Sequence, residues 1–445
     1  MTMRPTMLAV RSILAGAGLA LVLAACSHAT PSAAPAPGQL DRTFQRLLDD
    51  PAFGMSSLSV LAVRDGKVSY AGQFGMRRFG SATASGLPAG SDTLYRIASL
   101  SKMVTTIGVM KLVEQGKLAL DDDVSGYLGF RLRNPAFSDN RITLRMLLSH
   151  TSSLRDGAGY SWGANVALRD IVQQGGAMWA ARAAPGAYFA YCNLNFGVVG
   201  SIMEAVTGER FDRLMRRLVL QPLAVHGGYN VAEAPAADWA NVATLYRKRA
   251  SAGLPSTQAG AWFAQVDDTS VAPAALPGLD RYVPGRNGTL FSPTGGLRIS
   301  AADLGRIMLM FMDHGRYEGL VFLQPSSVAA MFSPQWTHRA ASANGDTDDG
   351  LFAAWGLGIQ RFEERAGQRS SLVDGGGFAA SGHLGAAYGL LSVFAFDAAK
   401  RNGVVVLIGG TARDSAVTPG HYSALSRHEE LILTALYENA VLGAQ

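Results

Sequence analysis

Ser99 and Lys102 stand three residues apart in the only Ser-x-x-Lys of this 445-residue sequence. On a helix that spacing puts a hydroxyl and an amine on one face, roughly 5–6 Å apart at Cβ. A serine hydroxyl becomes a nucleophile when a neighbouring base takes its proton, and a neutral lysine can be that base. Two further pairs follow in order. Tyr191-Cys-Asn193 supplies a phenol and an amide, and His383-Leu-Gly385 an imidazole beside a glycine. Each pair recurs: Tyr-x-Asn at Tyr437-Glu-Asn439 within a helical pattern, His-x-Gly at His226-Gly-Gly228 within a polar turn. Both repeats read as structural, so the weight rests on the ordered set.

A competing nucleophile is Ser161, in Gly159-Tyr-Ser-Trp-Gly163. This matches the Gly-x-Ser-x-Gly elbow of α/β-hydrolases, which needs a buried strand before the serine and a helix after it. The preceding residues 152–158 form a polar loop instead, which argues against Ser161. Cys192 reads as a small packed side chain in preference to a reactive thiol, and His150 as a local hydrogen-bonding residue. No Cys/His cluster has metal-ligand spacing, so neither a metal nor a cofactor is expected.

In these motifs the chain resembles the serine β-lactamase and penicillin-binding-protein superfamily, on the branch of class C β-lactamases, related esterases and D-amino-acid peptidases. The resemblance spans most of residues 58–408. It includes Tyr95-Arg-Ile-Ala-Ser99, Leu147-Leu-Ser-His-Thr-Ser152, Pro185-Gly186, Gly295-Gly-Leu297, Trp355-Gly-Leu-Gly358 and Gly382-His-Leu-Gly385. It implies that Ser99 is the nucleophile of an acyl-enzyme and that Lys102 deprotonates it or tunes the base, with a pKa depressed by burial. Tyr191 would carry the proton to the leaving group, and the choice of principal base between Lys102 and Tyr191 stays open. Asn193 would anchor Lys102 and a substrate amide. Gly385 would let substrate lie against a strand edge, and the backbone N–H groups of Ala386 and Ser99 would form an oxyanion hole. Two positions depart from the family pattern. Ser153 replaces a frequent glycine, and His383 stands where Lys-Thr-Gly often places a lysine. A histidine is largely neutral above a pKa of roughly 6.5, which favours the esterase and peptidase branches over β-lactam hydrolysis.

The expected function is therefore a serine hydrolase acting on an ester or on an amide such as a peptide ending in a D-amino acid. A β-lactamase or acyltransferase of the same fold is the alternative within the class. Outside it stands a catalytically weak penicillin- or peptide-binding lipoprotein, which slow acylation without turnover would reveal.

The N-terminus reads as an export signal. Arg4 and Arg11 precede a twelve-residue apolar run at 13–24, too short to span a bilayer. Leu23-Ala24-Ala25-Cys26 resembles a bacterial lipobox, implying a signal peptide over 1–25, lipid on Cys26 and attachment on the periplasmic side. The alternative is an ordinary secretory signal. Ser27 points to the outer membrane. Residues 26–40 are Pro- and Ala-rich and read as a tether. The chain carries 39 Lys and Arg against 34 Asp and Glu, with no basic run, so no nucleic-acid partner is expected. With 48% hydrophobic and 16% charged residues, it favours a well-cored globular protein.

These candidates need elements to hold them. Asp-Gly in Arg64-Asp-Gly-Lys67 between apolar runs at 58–63 and 68–74 predicts a hairpin. A broadly apolar helix is expected over 97–115, ending at Gly116, and a first helix capped by Asp41. Strands at 388–396 and 404–408 flank a turn at 400–403. Ser300-Ala-Ala-Asp303 resembles a capping box, and a last amphipathic helix is expected over 425–440. Between them, residues 120–290 show helical segments at 144–148, 198–206 and 211–218 but few strand signals, and 232–284 shows no period. The reading is an α+β fold of the β-lactamase/transpeptidase type over 41–445. Its antiparallel sheet is covered by helices on both faces (41–119 and 291–445) and carries an all-helical lobe (120–290).

Overall fold

The apolar runs around Asp65-Gly66 form the expected hairpin. Strands Ser57–Arg64 and Lys67–Arg78 pair antiparallel, and both turn residues sit at positive φ, as a two-residue turn requires. This computed structural model describes residues 38–81, 85–414 and 417–443. The expected signal peptide and Cys26, with most of the tether, lie outside the described residues.

Three more long strands, Ser381–Ala387, Leu390–Asp397 and Asn402–Ile408, complete the centre of an antiparallel sheet. Asn402–Ile408 lies beside Ser57–Arg64, joining an early and a late segment of the described residues. Three two-residue strands, at Trp336, Ala354 and Gln360, extend one edge; Leu87–Pro88 extends the other. The strand expected from 388 begins at Leu390, because Tyr388 and Gly389 take positive φ and make the turn that pairs Ala387 with Leu390.

Successive residues of the central strands serve opposite faces. Leu58, Val60 and Ala62 join Val404, Val406 and Ile408 in one core, under helices Gln39–Asp49 and Arg427–Leu436. Leu61, Val63, Val405 and Leu407 join the larger core on the other face, with helices Leu100–Glu114 and Ala301–Met312. Helix Leu100–Glu114 is buried nearly all round, as its broad apolar composition predicts.

Several boundaries differ from expectation for identifiable reasons. The first helix starts at Gln39, capped by Gly38, and Asp41 is its third residue, accepting the Gly38 N–H at 2.9 Å. The tether therefore stops short of residue 40. The helix expected over 97–115 starts after Ser99 rather than at 97, because Tyr95–Arg96 pairs as a short strand with Arg298–Ile299 and Ala98 turns at φ +49. Ser300 caps its helix, but the Asp303 carboxylate turns to the His226 N–H, so the box is half formed. The last helix begins at Arg427 after a complete Ser426/Glu429 box and ends in a π turn through Val441.

The lobe 120–290 is not all helical. Helices Leu144–Leu148, Leu194–Thr207 and Phe211–Met215 are present, but Leu245–Arg249 and Ala261–Val266 form an antiparallel hairpin in the segment without a period. Its strands are mostly half exposed and one carries Arg247-Lys-Arg249, so no apolar alternation marks them. Trp262 stacks on Phe79 at 5.5 Å and Tyr246 bridges to Gly410, which pins the hairpin near the sheet.

Candidate active site

Ser99 ends a strained turn. Ala98 lies in the left-handed region, where a non-glycine residue costs on the order of 1 kcal/mol or more. Ser392 Oγ holds the preceding carbonyl of Ile97 at 3.0 Å. The strain positions the hydroxyl at the N-terminus of the buried helix, facing a cleft of about 690 Å³ that Tyr191, His383, Gly385 and Ala386 also line.

Lys102 is fully buried on the first turn of the same helix. Its Nζ lies 3.0 Å from Ser99 Oγ, 2.8 Å from Asn193 Oδ1 and 3.0 Å from Thr294 O. With the amine neutral, two N–H bonds satisfy Asn193 and Thr294, and the lone pair faces the Ser99 hydroxyl. Burial draws the Lys102 pKa down to about 7, opposed by the charge of Asp156. Tyr191 lines the same cleft as Ser99, and its ring lies 4.9 Å from Lys102 Nζ. Burial pushes the Tyr191 phenol well above its usual range, so it stays protonated.

Asn193 anchors Lys102, and both atoms of its amide are bonded. Oδ1 also accepts from Thr294 Oγ1 at 2.8 Å, and Nδ2 donates to Asp156 Oδ2 at 2.8 Å. Nδ2 carries two N–H groups and gives one to Asp156, so a second donor is left for the substrate contact expected of Asn193. Asp156 went unread in the sequence. Its carboxylate accepts the Asn193 and Leu194 N–H groups at 2.8 and 2.9 Å, capping helix Leu194–Thr207 where Asn193 enters it. Thr294 was missed as well; neither residue stands near its partners in sequence.

His150 stacks on the Tyr191 ring at 4.5 Å and accepts the Cys192 N–H on Nδ1 at 3.1 Å. It positions the phenol, as a local hydrogen-bonding residue should. Cys192 is buried, its Sγ is 3.3 Å from Asp156, and burial raises its pKa well above the usual thiol value, so it is an inert packed group. Ser153 sits at φ +68, which explains the glycine common at that position. Ser161 is exposed in a loop with no strand before it and no helix after it, so the elbow geometry is not met.

Gly385 lines the cleft and also makes room for the turn before Ser99. A Cβ there would lie 2.5 Å from Ser392 Oγ, 2.7 Å from Ile97 O and 3.1 Å from Ser99 N. The glycine lets the strand press against the turn that carries Ser99. Beyond Gly382 that strand has Leu390–Asp397 on one side, while Gln360–Arg361 pairs with it only at Ser381 and Gly382. Its outer edge at Ala386 therefore meets the cleft, close to the Ser99 amide.

His383 is 2% exposed and donates from Nδ1 to Leu384 O at 2.6 Å. Burial, with Lys102 nearby, lowers its pKa to about 3. It is neutral at ordinary pH and offers Nε2 as an acceptor, not a cation.

This geometry agrees with a family-level comparison: the model of the family described as Beta-lactamase matches residues 40–426. The chain belongs to the β-lactamase family. It is 31% identical over 207 residues to "Esterase EstB" of Burkholderia gladioli, covering 43% of this chain and 51% of the esterase. Over 141 residues it is 31% identical to the "D-alanyl-D-alanine-carboxypeptidase/endopeptidase AmpH" of Escherichia coli K12, covering 30% and 36%. The chain thus spans about half and about a third of these relatives. Among solved structures, "EstCE1, a hydrolase with promiscuous acyltransferase activity" superposes with a TM-score of 0.63 at 22% identity, covering 89% of this chain and 97% of that one. That likeness establishes the β-lactamase/transpeptidase-type fold.

Proposed function

We propose that this protein is a serine hydrolase that cleaves an ester or amide through an acyl-enzyme on Ser99. The observation that carries the reading is Lys102 Nζ at 3.0 Å from Ser99 Oγ, with burial bringing its pKa near neutrality. Neutral Lys102 takes the Ser99 proton as Oγ bonds to the substrate carbonyl carbon. The oxyanion is held by the Ser99 and Ala386 N–H groups; such donors are worth about 10²–10³ in rate each. Tyr191, beside Ser99 in the cleft lining, relays the proton to the leaving group as the scissile bond breaks. Water then attacks the ester on Ser99, and its proton returns through the same groups. The raised Tyr191 pKa supports Lys102 as the principal base. The neutral His383 gives no charge to a β-lactam carboxylate, which favours ester or amide substrates, and the names of the esterase and peptidase relatives fit that range.

A fluorophosphonate probe should label the wild type and Ser161→Ala but not Ser99→Ala. Labelling that persists in Ser99→Ala would overturn the reading. The lipobox-like Leu23-Ala-Ala-Cys26 supports the further proposal of a lipid anchor on the periplasmic side of the outer membrane. Labelled palmitate should enter the wild type and not Cys26→Ala.

A further inference from the structure

Glu204 is a buried carboxyl that the proposed reaction leaves unused. It is 0% exposed, near the C-terminal end of helix Leu194–Thr207. Its Oε1 accepts the Phe211 N–H at 2.8 Å and its Oε2 the Gly285 N–H at 2.9 Å. The Tyr282 hydroxyl stands 2.5 Å from Oε2 and 2.9 Å from Asn287 O. Those two oxygen–oxygen contacts call for two hydrogens. A phenol brings one and a carbonyl none. A proton on Glu204 Oε2 supplies the second: Glu204 donates to Tyr282, and Tyr282 donates to Asn287 O.

The surroundings favour that proton. Asp212, on helix Phe211–Met215, opposes a second negative charge. Nearby cations have other partners: Arg210 is held by Asp212 and Glu233, Arg217 by Glu209, Arg281 by Asp280, and Arg286 donates to Asn165 O. Burial pushes the Glu204 pKa up to about 7, against the bonds it accepts, and the Asp212 charge adds to the rise.

The residues this carboxyl holds lead to the active site. From Gly285 the chain runs back along the helix toward Asn193. The Gly288 N–H donates to Ser201 Oγ at 2.7 Å. A Cβ at Gly197 would meet Thr289 at 2.5 Å, and one at Gly200 would meet Pro293 at 2.6 Å, so the segment packs tightly on the helix. Pro293 O then accepts from Thr105 Oγ1 at 2.9 Å. Thr294 follows, its carbonyl accepting from Lys102 and its hydroxyl donating to Asn193. Glu204 and Asn193 stand near opposite ends of one helix, roughly 16 Å apart along its axis.

We propose that Glu204 is a positioning residue: protonated and bonded to Tyr282, it fixes residues 282–294 on the helix and so holds Thr294 against Lys102. When Glu204 ionises, it takes the Tyr282 hydrogen, Asn287 O loses its partner, and the segment loosens. The effect on rate rests on the serine-hydrolase reading; the place of the proton does not.

Infrared difference spectra of the wild type minus Glu204→Gln read the proton directly. Below neutral pH they should show a carboxylic-acid carbonyl band that fades as pH rises through about 7. The rate constant for fluorophosphonate labelling of Ser99 at saturating probe reads Lys102, and it does not depend on the fraction of folded enzyme. In the wild type it should rise through about 7 as Lys102 loses its proton and then fall on the alkaline side as Glu204 ionises. Glu204→Gln cannot ionise, so its alkaline fall should vanish. Its maximal rate should drop about tenfold, with the half-saturating probe concentration within about twofold, because an amide cannot serve both Tyr282 and the two N–H groups. Tyr282→Phe should slow labelling likewise. The double variant should be no slower than the slower single one, since both break one chain. Absence of the carboxylic-acid band, an alkaline fall that persists in Glu204→Gln, or a lowered Tm with labelling rates unchanged overturns the proposal while the hydrolase reading stands. Labelling that survives Ser99→Ala, or no labelling of the wild type, removes the hydrolase reading and the positioning role with it.

Discussion

Behind Ser99, Lys102, Asn193, Asp156 and Thr294 satisfy one another with hydrogen bonds of 2.8–3.0 Å. In the cleft lining, Gln360 Oε1 and His383 Nε2 are buried without partners among the described residues. The contrast separates two tasks. Groups that move protons must hold their geometry before substrate arrives, because reorganisation during the reaction raises the barrier. Groups that select a substrate do so best when they stay unsatisfied until it binds, since a wrong substrate then leaves them unpaired. His150 is the exception behind Ser99: its Nε2 lacks a partner among the described residues, and the ring contributes by stacking on Tyr191.

Substitutions that damage only the paired groups should lower kcat and leave selectivity intact. The largest effect is expected from Lys102→Met, which removes the base and should cost about 10³-fold or more in kcat. Near-normal rates in that variant would break the division of labour. Asp156→Asn comes next, with a loss of about 10- to 100-fold in kcat as Asn193 loses its brace. Its pH profile sharpens the point. Wild-type activity should fall as pH drops through about 7, where Lys102 takes a proton. The Asp156 charge holds that pKa up, so its removal should shift the acid limb to lower pH; a shift the other way would remove Asp156 from the electrostatics of the site.

Gly385 lies in the cleft lining, against the turn that carries Ser99. Gly385→Ala should cost roughly 1–3 kcal/mol of stability by overpacking and should lower kcat, because the added carbon meets Ile97 O and the Ser99 amide. Thermal unfolding and kcat together check it. The smallest effect belongs to Ser161→Ala, outside both sets of residues, which should leave kcat/KM within about twofold, as for most exposed positions.

Much of the fold was legible because strand and helix periods survive in the sequence. The Asp65-Gly66 hairpin and the buried helix behind Ser99 follow from turn chemistry and apolar breadth. The hairpin at 245–266 did not, because charged and half-exposed residues hide its alternation. At the site, Ser99, Lys102 and Tyr191 came from ordered motifs, and the structure brings them together. Asp156 and Glu204 carry no local signature. Each matters through partners dozens of residues away.

The sequence by itself determined which atoms could react, since hydroxyl, amine and phenol are fixed by residue type, and their spacing fixed the helix that carries two of them. Only the tertiary structure decided their states. Burial lowers the pKa of Lys102, neutralises His383 and keeps Tyr191 protonated, and close approach at Gly385 sets the turn that carries Ser99. Desolvation and contact depend on what surrounds a group, and those surroundings come from chain segments that meet only in the folded molecule.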